Sequence, residues 1–245
     1  MVRKISREHL PFQMPDRPHA LSQEWRNLTF MHWSVEPGKL EQYIPEGLEL
    51  DLFEGKAYVG TIPFLMKNVR PRFLPAVPGI SSFPEFNIRT YVKKNGKPGV
   101  LFLTLDAQSR ITCWHAPRAY GLPYRYAKCK ISTEENRFKW RSKRSEDGAI
   151  LDGECRLIGP KMQAEKNTLE YFLFERYSLY TELNGKLNMA YTLHEPWTYQ
   201  EAEVHINNNT LTESYGLDID VMNPEYVHAS YGVYVLTWPI QEVKQ

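Results

Sequence analysis

Two short blocks hold most of the side chains in this sequence that could do chemistry together. In Pro84-Glu85-Phe86-Asn87-Ile88-Arg89-Thr90-Tyr91-Val92, a carboxylate, an amide, a guanidinium and a phenol occupy every second position. A strand places alternate residues on one face, so Glu85, Asn87, Arg89 and Tyr91 form a row. Lining an interior, that row could orient a small molecule and move a proton. Facing water it is an ordinary wet surface, and alternation alone favours the wet surface by a small margin. The second block is Arg118-Ala119-Tyr120-Gly121-Leu122-Pro123-Tyr124-Arg125-Tyr126-Ala127-Lys128. Arg118, Tyr120, Tyr124 and Arg125 could grip an anion through charge-assisted bonds between aromatic walls. Arginines stacked on rings are equally common at surfaces. Interior charges are costly unless paired, so an enclosed site predicts Glu85 facing Arg118 or Arg89.

Other chemistries find little support. The seven histidines are scattered, with no HxH or HExxH, and zinc sites usually draw two ligands from one short segment. His194-Glu195 is the nearest to a pair, and it reads as a strand end before Pro196-Trp197. No metal and no cofactor is expected. GxGxxG, GxxxxGK[ST] and GxSxG are all absent, and Gly96-Lys97-Pro98-Gly99 belongs to a hairpin. Read as strand neighbours, Cys113 and His115 flank Trp114 without an obvious activating contact, so Cys113 is expected to be structural.

The elements that must position these blocks are mostly strands. Short β-branched and aromatic segments alternate with Pro and Gly: Leu48–Phe53, Lys56–Phe64, Asn87–Lys93, Gly99–Leu105, Tyr126–Thr133, Asn136–Ser142, Ala149–Ile158, Lys186–Leu193 and Tyr231–Ile240. Asn95-Gly96 between two of them predicts a tight hairpin, because both residues tolerate positive φ. Helical spacing is limited to a run from Thr168 through Leu169, Phe172, Leu173, Arg176 and Tyr177, to Gly38–Tyr43, and to one turn around Pro117–Tyr120. Val69–Pro84, with four prolines, reads as a rigid surface loop. Strands lie on both sides of every candidate boundary, which predicts one domain over residues 1–245. With 30 Lys and Arg against 29 Asp and Glu, the net charge of +1 gives no general affinity for nucleic acid or anionic membrane. Three cysteines without a CxxC, no signal-type apolar stretch near the start, and no run of about 18 apolar residues together predict a cytoplasmic protein.

Several blocks, in order, resemble the YqjF-like family of uncharacterised bacterial proteins. They are Trp25 to Trp33, Ile44-Pro45-Glu46-Gly47-Leu48, Phe53-Glu54-Gly55-Lys56-Ala57-Tyr58-Val59-Gly60, Phe86-Asn87-Ile88-Arg89-Thr90-Tyr91-Val92, Arg118-Ala119-Tyr120-Gly121-Leu122-Pro123-Tyr124, Phe174-Glu175-Arg176-Tyr177 and His194-Glu195-Pro196-Trp197. That family is similar to acetoacetate decarboxylase, which implies a mainly β (α+β) fold: a closed, cone-shaped antiparallel barrel with a few short helices and an interior site. In that resemblance Glu85 matches a glutamate on the strand before a hairpin. Tyr124 stands where the decarboxylase has its Schiff-base lysine, and Arg125 where it has the neighbouring lysine. A phenol cannot form an imine, and nothing near Lys128 suggests a depressed pKa, so decarboxylation by that route is not expected.

Three readings follow. The interior binds a small anionic or aromatic organic molecule through Glu85, Asn87, Arg89, Arg118, Tyr120, Tyr124 and Arg125. Alternatively, Glu85 and Tyr124 perform lyase or isomerase chemistry without a Schiff base, which requires them to share one pocket. In the third, the interior is filled and the surface acts. A homodimer is compatible with each.

Overall fold

The computed structural model describes residues 5–243. The chain runs β1 (Leu21–Val35), α1 (Pro37–Glu41), β2 (Glu49–Leu50), β3 (Ala57–Pro71), β4 (Phe83–Lys94) and β5 (Lys97–Ala107). Next come α2 (Arg110–Tyr120), β6 (Tyr124–Glu134), β7 (Arg137–Arg144), β8 (Ile150–Met162) and α3 (Leu169–Phe174). The described residues end with β9 (Ser178–Leu183), β10 (Lys186–His194), β11 (Tyr199–Asn208), α4 (Thr210–Glu213), β12 (Tyr226–Thr237) and β13 (Gln241–Glu242).

The expectation of a mainly β fold with few short helices holds, but the closed, cone-shaped antiparallel barrel does not. Strand pairing gives one 13-stranded sheet with β13 and β2 at its ends, branched where β10 also meets β12 and β5 also meets β4. It is mixed rather than antiparallel, since β5 pairs in parallel with both β6 and β9. The reason is local. Strands joined by a tight turn run antiparallel, whereas a parallel neighbour needs a crossover, and α2 supplies one between β5 and β6.

That crossover was not legible as such. Cys113-Trp114-His115 lies on α2, not on a strand, and the helix extends well beyond the single turn expected at Pro117–Tyr120. The Ser109 hydroxyl caps its start by accepting from Thr112 N, and Gly121 closes it in the left-handed region at φ 66°. A Cβ on Gly121 would sit 2.2 Å from the Glu182 carbonyl oxygen, so the close approach of β9 also demands glycine there. The hairpin is as expected: Asn95 and Gly96 have φ 52° and 71°, with Lys94 opposite Lys97. Thr168 caps α3. The loop expected over Val69–Pro84 shrinks to residues 72–82, because β3 runs on to Pro71.

Alternation then builds the core on both sides of the central strands. Met31 and Trp33 of β1, Val59 of β3, and Phe86 and Ile88 of β4 enter one cluster with Phe138 and Trp140. Their neighbours Leu28, Phe30, Tyr58, Ile62, Phe64 and Tyr91 enter the other, with Phe174 and Trp197. A strand buried on both faces has no wet side.

Candidate functional site

The second cluster surrounds a cavity of about 410 Å³. Its wall is largely apolar and aromatic, with Trp25, Phe83, Phe102, Phe174 and Trp197 prominent, and a few polar groups face in among them. Glu85 comes from β4 and Tyr124 from the first residue of β6, on opposite sides of β5. Register explains their meeting: Glu85 pairs with Ala107 and Tyr124 with Leu105, so the two stand one step apart across β5. The phenol bridges that gap and donates to Glu85 Oε2 at 2.7 Å.

Glu85 is buried, and burial pushes its carboxyl up to about 7 while hydrogen bonds from Tyr124 and Asn87 pull the other way. The Tyr124 hydroxyl lies well above its ordinary range, through burial first and the neighbouring Glu85 charge second. The expected partner of Glu85 was Arg118 or Arg89, but its bonded partner is a neutral phenol. A carboxyl near neutrality can be held by a neutral donor without the desolvation cost of a buried ion pair.

Arg89 also lines the cavity. One Nη donates to the Leu173 carbonyl at 3.0 Å, while its buried Nε has no partner among the described residues. Tyr91, next in the row, donates to the same carbonyl at 3.1 Å and bonds His32 Nε2 at 2.7 Å. Asn87 is buried beside Glu85. The row is therefore largely buried, against the expectation of a wet surface, with Glu85 and Arg89 on the cavity wall and Asn87 and Tyr91 not on it. Alternation cannot distinguish the two outcomes, because the other face of β4 is buried as well.

The second block divides. Tyr120 and Tyr124 reach the cavity wall. Arg118, in the last turn of α2, is exposed, bonds the Trp114 carbonyl at 2.7 Å and stacks over the Trp114 ring. Arg125 points to the opposite face of β6 from Tyr124 and forms an exposed ion pair with Glu146 at 3.0 Å. Neither arginine lines the cavity, and no lysine among the described residues does. Lys128 is exposed on β6.

Sequence reasoning missed Arg176, His194, Ser178 and Thr192 on the wall. Arg176 pairs with Asp51 at 2.6 Å and stacks on Phe172 and Tyr91, 4.1 and 4.9 Å from the ring centres. A signal existed: Arg176 falls on the apolar side of the helical pattern from Thr168, where a charge must find a partner. His194, at the end of β10 as expected, bonds the Glu195 carbonyl through Nδ1 at 2.8 Å, and burial lowers its pKa. Cys113 has its thiol pushed up to about 11, chiefly by burial, and is no ready nucleophile. Among the described residues no group of three or more His, Cys, Asp or Glu is placed to hold a metal ion, and no helix is long and apolar enough to cross a membrane.

Comparison with solved structures shows the fold shared. Acetoacetate decarboxylase from Legionella pneumophila aligns at a TM-score of 0.65 and 14% identity, covering 97% of this chain and 93% of that one. The enduracididine biosynthesis enzyme MppR, complexed with the condensation product of pyruvate and imidazole 4-carboxaldehyde, aligns at 0.64 and 12%, covering 92% and 90%. An acetoacetate decarboxylase-like enzyme from Sphingomonas wittichii RW1 aligns at 0.64 and 10%, covering 94% and 95%. At such identities the likeness concerns architecture alone. In sequence, the uncharacterized protein YqjF of Bacillus subtilis (strain 168) is 38% identical over 230 residues, 94% of this chain and 95% of that protein. Residues 22–234 match DUF2071, described as an uncharacterized conserved protein. The chain therefore belongs to the DUF2071 family, on an acetoacetate decarboxylase-like fold.

Proposed function

We propose that this protein binds a small, mostly apolar organic molecule carrying an anionic group in the cavity beneath β4 and β6. The observation that supports this most is the convergence of Glu85, Tyr124 and Arg89 on one largely apolar wall. Arg176 is neutralised by Asp51, so Arg89 is the cation left to meet an anion, and its buried Nε is free to donate. The Glu85–Tyr124 pair would hold a carbonyl or hydroxyl. Pockets of a few hundred cubic ångströms with few convergent polar groups are the usual form of small-molecule sites. Several neighbours in fold act on small organic molecules, as their names state. A cavity of this size weighs against the reading in which the interior is filled. The test is calorimetric titration and thermal-shift screening with aromatic and aliphatic carboxylates, ketones and keto acids. Binding should weaken in Arg89→Met. No binding by any of them, or equal binding by the variant, would remove the proposal.

A second reading is favoured by one observation: a carboxyl at about 7, 2.7 Å from a phenol, is matched to proton transfer at neutral pH. Ionised Glu85 would take a proton from a carbon beside a carbonyl and return it at the same or another carbon, giving exchange or isomerisation with no other reactant. Deuterium uptake from D2O into a bound ketone, followed by NMR, should be lost in Glu85→Gln. Equal uptake with the variant would exclude Glu85 as the base.

A further inference from the structure

The exposed residues that line the cavity are Pro71, Ile80, Ile111 and His115. All four come from two neighbouring places: the loop 72–82 with the end of β3 before it, and α2. These therefore form the mouth. A hydrogen bond from Gln108 N to the Pro84 carbonyl, at 3.3 Å, ties the end of that loop to the start of the helix.

The outer surface of the mouth is unusual. Of the nine large apolar side chains exposed among the described residues, six lie here: Phe73, Leu74, Val77, Ile80, Ile111 and Trp114. Phe73 is 86% exposed and Trp114 is 62% exposed. Scattered single apolar residues need no explanation, but a cluster around one opening does. The charge is equally one-sided. Residues 55–84 and 107–133 contain no Asp or Glu, and their arginines are Arg70, Arg72, Arg110 and Arg118, with Arg125 beyond the helix on β6 paired to Glu146. None of the first four forms an ion pair among the described residues. Two sit against the exposed rings, Arg72 4.8 Å from the centre of Phe73 and Arg118 5.4 Å from that of Trp114. Glu182, whose backbone approaches Gly121, belongs to β9, past the helix's C-terminal end.

We infer that the mouth of the cavity docks on an anionic bilayer surface, inserting Phe73, Leu74, Ile111 and Trp114 at the headgroup boundary. Exposed Trp, Phe and Leu tips interleaved with arginines, on segments that themselves carry no carboxylate, suit the interface in both hydrophobicity and charge. Mouth to mouth, another copy of this chain would present the same arginines and repel. The near-neutral total charge hides this surface because the compensating acids lie elsewhere. Docking is independent of what the cavity binds, and it would open the cavity toward molecules dissolved in the membrane.

Flotation with the intact chain tests the inference. Vesicles of phosphatidylcholine with phosphatidylglycerol should carry the protein, and phosphatidylcholine alone should carry much less. Phe73→Ser with Trp114→Ser should weaken partitioning onto the vesicles by at least about tenfold, since the two exposed rings together carry more apolar area than the roughly 55 Å² that a tenfold change requires. Arg72→Glu with Arg118→Glu should abolish the lipid selectivity. All four side chains contact solvent, so melting temperature and circular dichroism should remain those of the parent. No association with anionic vesicles would overturn the inference, as would equal association by the variants, or a dimer in sedimentation that the Ser variants dissociate. Because the readout is vesicle binding, it stands or falls separately from ligand titration of the cavity.

Discussion

Replacing Glu85 by glutamine tests the electrostatics of the site most directly. Burial holds the Glu85 carboxyl at about 7 against an ordinary value of 4.5. Below pH 4.5 the folded and unfolded chains both carry the proton, and ionisation costs nothing. Between 4.5 and about 7 the unfolded chain ionises first, so the folded chain binds more protons and stability falls as pH rises. Above about 7 the loss is complete. At about 1.4 kcal/mol per tenfold, the gap amounts to about 3 kcal/mol, on the order of 10 °C in melting temperature for a chain of this length. The amide introduced by Glu85→Gln does not titrate, keeps the shape, and still offers an oxygen to Tyr124. The stability of Glu85→Gln minus that of the parent should therefore grow by about 3 kcal/mol between pH 4.5 and 8. Urea unfolding at a series of pH values measures it, and subtraction removes His32 and His194, whose lowered pKa values make both proteins less stable as pH falls. Parallel profiles for the two proteins would refute the reasoning, since the carboxyl would then titrate alike in the folded and unfolded chains.

Three further outcomes follow from the same geometry. Asp106→Asn should cost about 3–5 kcal/mol in urea unfolding, because Arg144 is buried against Asp106 at 2.9 Å and keeps only Asp147 as a charged partner. Gly121→Ala should cost about 1–3 kcal/mol, with a weakened Glu85–Tyr124 pair, since its Cβ would meet the Glu182 carbonyl and shift the junction into β6. Borohydride treatment with pyruvate should leave no stoichiometric reduced adduct on a lysine by mass spectrometry, as no lysine among the described residues lines the cavity. An adduct on Lys128 would show that the site rearranges in solution.

Most of the strands, the Asn95-Gly96 turn and the two polar blocks were readable from residue type and period, but β1, β9, β11 and β13 were not among the expected segments. Local sterics and alternation act within a few residues, so they leave a local trace. The helix carrying Cys113 was not readable, because its cap, its proline and its glycine closure give no long apolar period. The two blocks could be nominated but not sorted. Arg118 and Arg125 carry the same charge as Arg89, and only the crossover through α2 turns Tyr124 inward and Arg125 outward. The barrel expectation failed at that place too, where β5 takes parallel partners.

By itself, then, the sequence determined most of the segments that extend, the reversal at Asn95-Gly96, and that no lysine occupies the Tyr124 position. Tertiary structure alone decided that both faces of β4 are buried, that Arg176 finds Asp51 far along the chain, and that a carboxyl and a phenol from different strands share one hydrogen bond. Burial and pairing depend on what other segments bring alongside, and those distances are set by strand register rather than by neighbours in the chain.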